Sequence, residues 1–241
     1  MNEHNGLLLS RRGAMVWLGT TGAIWLMTGT RSYAQAASNT PRSLCIVRPE
    51  QMEGPYFIDE RLHRMDIRSD PTNGTISPGT QLALTFHISR IRGEECRPLP
   101  DAQVDIWHCD ATGVYSDVRD PGFSTVGQKF LRGYQLTDAN GVARFQTIYP
   151  GWYPIRTVHI HFKIRTALMA RKQYEFTSQL YLPDELTDRV HTALPYASQG
   201  RRRVHNHHDF IFREGGDQLM LAPSETSGGY AATFPIGLHL S

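Results

Sequence analysis

Leu82, Leu84, Phe86 and Ile88 alternate with polar or small neighbours without a break, which marks Gln81–Ile91 as a strand with one face turned to a core. Val104, Ile106 and His108 alternate against Asp105, Trp107 and Cys109 in a second run of the same kind. Asp138-Ala139-Asn140-Gly141 is a hairpin signal, because Asn and Gly accept positive φ, and it joins Arg132–Thr137 to Val142–Ile148. Thr157–Ile164 and Phe176–Leu182 supply two further strands. The best helical signal is Asp184–His191, which follows a proline and carries acidic residues in its first turn. Tyr230–Leu240 returns as a last strand or packs irregularly. Short alternating runs separated by turn residues predict an all-β protein, an antiparallel β-sandwich with long loops.

The amino end breaks this pattern. Ser10-Arg11-Arg12-Gly13 is followed by the apolar run Ala14–Met27 and then by Ser32-Tyr33-Ala34, a small-x-small cleavage signal. Residues 1–34 therefore read as an export signal of the twin-arginine type, a route to the periplasm or the exterior that carries folded proteins. Residues 35–43 are a polar linker, and 44–241 form one domain without an internal repeat. The apolar run is short and rich in Gly and Thr, so no membrane association is expected once the signal is removed.

Composition narrows the partners. The 241 residues are 40% hydrophobic and 20% charged, enough for a sizeable core. Taking Arg11, Arg12, Arg31 and Glu3 away from 25 basic and 23 acidic residues leaves 22 of each. A near-neutral chain gives no electrostatic reason to bind nucleic acid or an anionic membrane. The three cysteines, in an oxidising compartment, predict one disulfide and one free thiol. Three pairings are open; Cys45–Cys96 is preferred because Cys109 lies within the strand of a candidate site.

That site begins with His159-Ile160-His161-Phe162, behind Pro150-Gly151-Trp152-Tyr153-Pro154-Ile155-Arg156. A His-x-His pair in a strand puts both imidazoles on one face and leaves Val158, Ile160, Phe162 and Ile164 for the core. Tyr153, in the turn before the strand, can bring a phenol back over the pair. Two imidazoles with a phenol make a donor set hard enough for a ferric ion. Tyr115 sits just past the Trp107 strand. Arg156, at the mouth of the histidine strand, suits an anionic substrate or developing negative charge. Gln179, with Thr177 and Tyr181 on one strand face, can reach the same cavity as a hydrogen-bond donor.

Trp107-His108-Cys109-Asp110-Ala111, Gly113 and Tyr115, then Pro150-Gly151, Tyr153-Pro154, His159-Ile160-His161-Phe162 and Gln179-Leu180-Tyr181 follow the order of the intradiol ring-cleavage dioxygenases. Glu53-Gly54-Pro55-Tyr56 resembles an early segment of the same family, so the resemblance runs from about Leu44 to Leu182. Its exported branch is nearest in form. The resemblance implies a non-haem Fe(III) cofactor held by Tyr115, Tyr153, His159 and His161, with Tyr153 the ligand that gives way to substrate. It implies catalytic roles for Arg156 and Gln179 as well. The implied reaction cleaves a catechol-type ring between its hydroxylated carbons with O2, giving a cis,cis-muconate-type dicarboxylic acid. The partners are thus a small aromatic diol and O2. One departure stands out: only five residues separate Tyr153 from His159, a short loop that suits an open site and bulky substrates.

Competing readings remain at this level. His205-Asn206-His207-His208-Asp209, behind Arg201-Arg202-Arg203, has the composition of an adventitious metal tract or a basic loop. Tyr134 and Tyr149 are rival phenols, Tyr149 near enough to send a hydroxyl to the cavity, and His108 suits a supporting role. The whole chain also fits a non-catalytic, exported, transthyretin-like binding module, or a copper or zinc enzyme built on the histidine pair. Oligomeric state is not legible.

Overall fold

A computed structural model describes residues 45–166 and 174–240. The export signal and the linker lie outside the described residues.

The described chain is mostly strand. One sheet is built around β1 (Gln81–Arg92), whose Leu82, Leu84, Phe86 and Ile88 are all buried, as their alternation requires. β2 (Glu95–Pro98) pairs antiparallel with the second half of β1. The other sheet takes β3 (Gln103–Trp107), β6 (Arg132–Leu136), β8 (His159–Thr166) and β9 (Tyr174–Tyr181) in the order β6-β3-β8-β9, all antiparallel. A two-residue pair, β4 (Arg119–Asp120) with β5 (Phe123–Ser124), stands apart. β7 (Val142–Ile148) crosses back to pair antiparallel with the first half of β1. α1 (Asp184–Val190) and three short 3-10 turns then lead to β10 (Ser224–Thr226) and β11 (Gly229–His239).

The two sheets share one core. Phe86 and Phe234 from the first meet Phe162 from the second at ring-centroid distances of 5.4 and 5.6 Å. Each such fully buried aromatic contributes about 2 kcal/mol from apolar burial alone.

One expectation is corrected. The sheets are not wholly antiparallel, because β11 runs parallel to β1 from Gln81↔Gly229 to Ile91↔His239. β7 and β2 already occupy the other side of β1, so the returning carboxyl-terminal segment has one edge left. A parallel pair needs a long crossover, and the chain between Arg92 and Gly229 supplies it. Tyr230–Leu240 is thus a strand for most of its length rather than irregular packing.

Cys45 and Cys96 form the disulfide, and Cys109 is a free, buried thiol. β3 stops at Trp107, two residues short of the expected end, because Asp110 closes a tight turn. Its Oδ1 accepts hydrogen bonds from the Thr112 amide, the Thr112 hydroxyl and the Val114 amide.

That turn locks against the Pro150–Arg156 loop backbone to backbone. Gly113 has φ +80°, and a Cβ there would lie 2.3 Å from the Trp152 carbonyl oxygen. A Cβ on Gly151 would lie 2.5 Å from both the Asp110 and Ala111 oxygens, and its amide donates to the Asp110 carbonyl at 3.0 Å. Only glycine at both places lets the loops that carry Tyr115 and Tyr153 come this close.

Candidate metal centre

His159 and His161 leave β8 on the face opposite the core, 2% and 1% exposed, so this outer face is covered rather than open to solvent. His159 donates its Nδ1–H to the Thr157 carbonyl at 2.7 Å, which leaves the lone pair on Nε2. That Nε2 lies 3.0 Å from His161 Nε2 and 3.2 Å from Tyr153 Oη. Trp107 stacks on the His161 ring at 5.0 Å with planes 5° apart and fixes its orientation. Tyr115 completes the group, its ring 5.7 Å from Tyr153 and 6.2 Å from His161.

One orphaned polar atom tests whether this group suits a cation. Tyr115 Oη is buried without any hydrogen-bond partner. A buried, unpaired hydroxyl costs about 1–3 kcal/mol unless something binds it. Burial first, then the charge of Arg156, holds His159 neutral, well below the ordinary histidine value. Burial first, then the neighbouring His159, does the same to His161. Burial, then the adjacent phenol of Tyr153, raises Tyr115 well above the ordinary phenol range. A bound trivalent cation reverses that balance, since the ion becomes the largest local charge. Two neutral imidazoles and two phenol oxygens therefore fit a hard cation.

No group of three His, Cys, Asp or Glu side chains gathers into a metal cluster among the described residues. Within them, the histidine pair thus lacks the third nitrogen, sulfur or carboxylate ligand that a zinc site takes. Phenol oxygens are what bring the donor count to four.

Arg156 is 7% exposed and held from two sides. Its Nε donates to Asp209 Oδ2 at 2.7 Å, and its Nη2 to Gln179 Oε1 at 2.6 Å. Gln179 is fully buried, and its Nε2 donates to the Met52 carbonyl at 2.9 Å. Gln179 thus gives one amide hydrogen to the covering segment, and its oxygen positions Arg156. Tyr181 donates its hydroxyl to Gln51 Oε1 at 2.7 Å and extends the same network.

The histidine-rich tract after Arg203 has a different use from the one its composition suggests. Asp209, 0% exposed, also accepts hydrogen bonds from the amides of Thr157, Ile211 and Phe212. Asn206 accepts from the Thr157 hydroxyl at 2.7 Å. The tract is a strut that fixes the residues ahead of His159. Arg202, read as part of a basic loop, is buried between Asp184 and Asp188 at 2.5 and 2.7 Å.

The rival residues lie elsewhere. Tyr149 shares a hydrogen bond with Thr187 of α1 at 2.7 Å, and Tyr134 stacks on His63. His108 donates from Nδ1 to the Cys109 carbonyl and accepts at Nε2 from the Thr147 hydroxyl, each at 2.7 Å. It is a satisfied core histidine, with burial lowering its pKa to about 4.

Sequence reasoning missed several contributors. Tyr56, in a motif singled out only for its resemblance, packs on Tyr115 at 4.5 Å and donates to Asp120 at 2.7 Å. Arg132 ties Ser116, next to Tyr115, to the Tyr56 carbonyl through its guanidinium. Asp209 stood in the sequence only as the end of the histidine-rich tract, and nothing there pointed to Arg156 as its partner.

The protein-family model described as "Dioxygenase" matches residues 52–210. The chain belongs to the intradiol ring-cleavage dioxygenase family, whose enzymes use non-haem iron. It is 30% identical to the hydroxyquinol 1,2-dioxygenase of Corynebacterium glutamicum over 129 residues, 46% of this chain and 39% of that one. It is 34% identical to the catechol 1,2-dioxygenase of Acinetobacter baylyi over 111 residues, 44% of this chain and 32% of the relative. The match therefore spans about a third of the length of these curated relatives. Among solved structures, an intradiol ring-cleavage dioxygenase from Tetranychus urticae superposes with a TM-score of 0.67 at 28% identity, covering 81% of this chain and 94% of that one.

Proposed function

We propose that this chain is a non-haem Fe(III) intradiol dioxygenase. It opens a catechol-type ring between its two hydroxylated carbons and adds both atoms of O2, giving a cis,cis-muconate-type dicarboxylic acid. The observation that carries this reading is the approach of Tyr153 Oη and His161 Nε2 to within 3.2 Å of His159 Nε2, beside the unpartnered oxygen of Tyr115. The scaffold is read as a β-sandwich whose loops at residues 108–116 and 150–158 carry the site.

A ferric ion held by Tyr115, Tyr153, His159 and His161 would supply the Lewis acidity that draws electron density from the bound diol and makes its ring reactive toward O2. The protein's own groups divide the remaining work. Tyr115, 1% exposed, is sealed under Tyr56 and suits a permanent ligand. Tyr153 is half-buried in a turn at the rim, so it is the phenol able to yield its place and take a proton from the diol. His159 and His161, fixed by Thr157 and Trp107, hold the geometry. Arg156, held by Asp209 and Gln179, sets guanidinium N–H donors beside the site, where they can stabilise negative charge developing on the ring.

Export fits the Cys45–Cys96 disulfide, since such bonds persist outside the reducing cytosol. The periplasm or the exterior is thus the proposed location.

The test is colour with turnover. Tyrosinate oxygens on Fe(III) give a visible charge-transfer band, so iron-loaded protein should be coloured and take up O2 with a catechol. Tyr115→Phe should weaken and shift the band by removing one of the two tyrosinates, and Tyr134→Phe should leave it unchanged. An iron-replete but colourless protein would overturn the assignment.

A further inference from the structure

Arg156 is a poor receptor for a substrate carboxylate. Its charge is already matched by buried Asp209, and two of its three nitrogens are taken by Asp209 and Gln179. Three N–H groups remain, two on Nη1 and one on Nη2, but with the Asp209 carboxylate matching the charge they offer a substrate carboxylate little net attraction. Arg132 is the other guanidinium whose charge acts on His161. It is 2% exposed, with its donors on Ser116 and the Tyr56 carbonyl. On the same strand face, Lys163 pairs with Glu53, and Arg165 pairs with Asp59 and Asp105. Arg156, Lys163 and Arg165 are thus paired with carboxylates and Arg132 is held by carbonyls, so none presents a bare charge to an anionic substituent.

What adjoins Arg156 toward solvent is apolar instead. Phe210 is 50% exposed, and its ring centroid lies 5.9 Å from the Arg156 guanidinium carbon. Ile155, next in sequence, is 74% exposed with φ +70°. A β-branched side chain in the left-handed region is strained, and at this exposure core packing does not compensate it. Phe210 thus lies against the arginine of the tyrosine turn, and Ile155 precedes it in the chain with its side chain in solvent.

We propose that the site takes an uncharged vicinal diphenol bearing an apolar ring substituent in preference to a diphenol carboxylate, and that Asp209, Phe210 and Ile155 set this preference. Asp209 removes the net charge of Arg156, while Ile155 and Phe210 offer a rim for the substituent. Asp209 and Phe210 act as specificity residues. The proposal rests on the ring-cleavage reading above.

The iron-loaded enzyme is compared on 4-ethylcatechol and 3,4-dihydroxybenzoate by kcat/KM. Calorimetric Kd values for the unreactive analogues 4-ethylphenol and 4-hydroxybenzoate give a readout that needs no turnover. The ethyl compounds should be favoured by about tenfold or more in both measurements, the scale of small apolar pockets. Phe210→Lys places a cation at the rim and should lower both ratios about tenfold. Ile155→Ser should weaken 4-ethylphenol and leave 4-hydroxybenzoate unchanged. Asp209→Asn should move the ratios in the same direction as Phe210→Lys. If that buried variant does not fold, the two exposed positions decide. Equal or better binding of the carboxylates by the wild type, or ratios unmoved in Phe210→Lys and Ile155→Ser, would overturn the preference. Cleavage of both diols with the carboxylate favoured sinks the preference alone. Failure to cleave either diol by a colourless iron protein sinks the ring-cleavage reading, and the analogue affinities then still decide the preference.

Discussion

Tyr115→Phe should change stability in opposite directions with and without metal. In the metal-free protein the Tyr115 hydroxyl is buried, 1% exposed, and finds no partner. Removing it deletes one unsatisfied polar group and leaves the ring stacked on Tyr56 and edge-on to Tyr153. The expected gain is about 1–3 kcal/mol, the desolvation cost of an orphaned hydroxyl. The iron-bound protein should respond the other way. Metal at a hundred times its Kd stabilises the native state by about 2.7 kcal/mol, and loss of one of four ligands removes most of that. Urea titrations of both forms, with and without iron, give the four free energies, and an unchanged m-value licenses their comparison. If the variant destabilises the metal-free protein as much as the iron-bound one, the hydroxyl has an internal partner and the ligand argument fails.

Further outcomes follow from the same geometry. Burial lowers His108 to about 4 from the ordinary value near 6.5, so the unfolded chain binds its proton first as pH falls. Its effect on stability is absent above pH 6.5 and grows to about 3 kcal/mol of lost stability by pH 4. His159 and His161 shift in the same direction, so acid unfolding of metal-free protein should steepen below pH 6.5, and His108→Asn should flatten the slope by up to one proton. Cys96→Ser frees a loop closed over 51 residues and should cost about 4 kcal/mol, read by denaturant unfolding of the oxidised protein. Gly113→Ala combines φ +80° with a clash on the Trp152 carbonyl, so it should cost more than about 2 kcal/mol and lower the iron content on purification.

The parts legible in the sequence are those governed by local periodicity. β1, β7 and β8 announce themselves because one face of each must be apolar, and the burial of Leu82, Leu84, Phe86, Ile160 and Phe162 follows that rule. The His159–His161 face follows equally, since a period of two leaves no other choice. Tyr115 and Tyr153 came from motif order, but what holds them together is the pair of close approaches at Gly113 and Gly151, which sequence shows only as two glycines. The parallel return of β11 was hidden because register between strands far apart in the chain is decided by which sheet edge remains free. The stretch from Pro195 to Pro223 has short turns and no period, so nothing in it tied Asp209 to Arg156.

Asp209 also bears on how the site can be tuned. Its contact with Arg156 spans 53 residues and joins a loop with no regular period to the mouth of a strand with a strong one. The strand face and the tyrosine turns fix where the donor atoms sit, and a change there alters the metal ligands themselves. The loop fixes only the charge beside them: with Asp209 in place the arginine contributes position without net charge, and with a neutral residue there the same arginine becomes an anion receptor. Because Asp209 is fully buried, a neutral replacement also leaves a buried cation unpaired, a change worth several kcal/mol in stability. Substrate charge preference is therefore coupled to folding at position 209 and free of it at the exposed positions 155 and 210. Selection for a new substrate should reach those two exposed residues first.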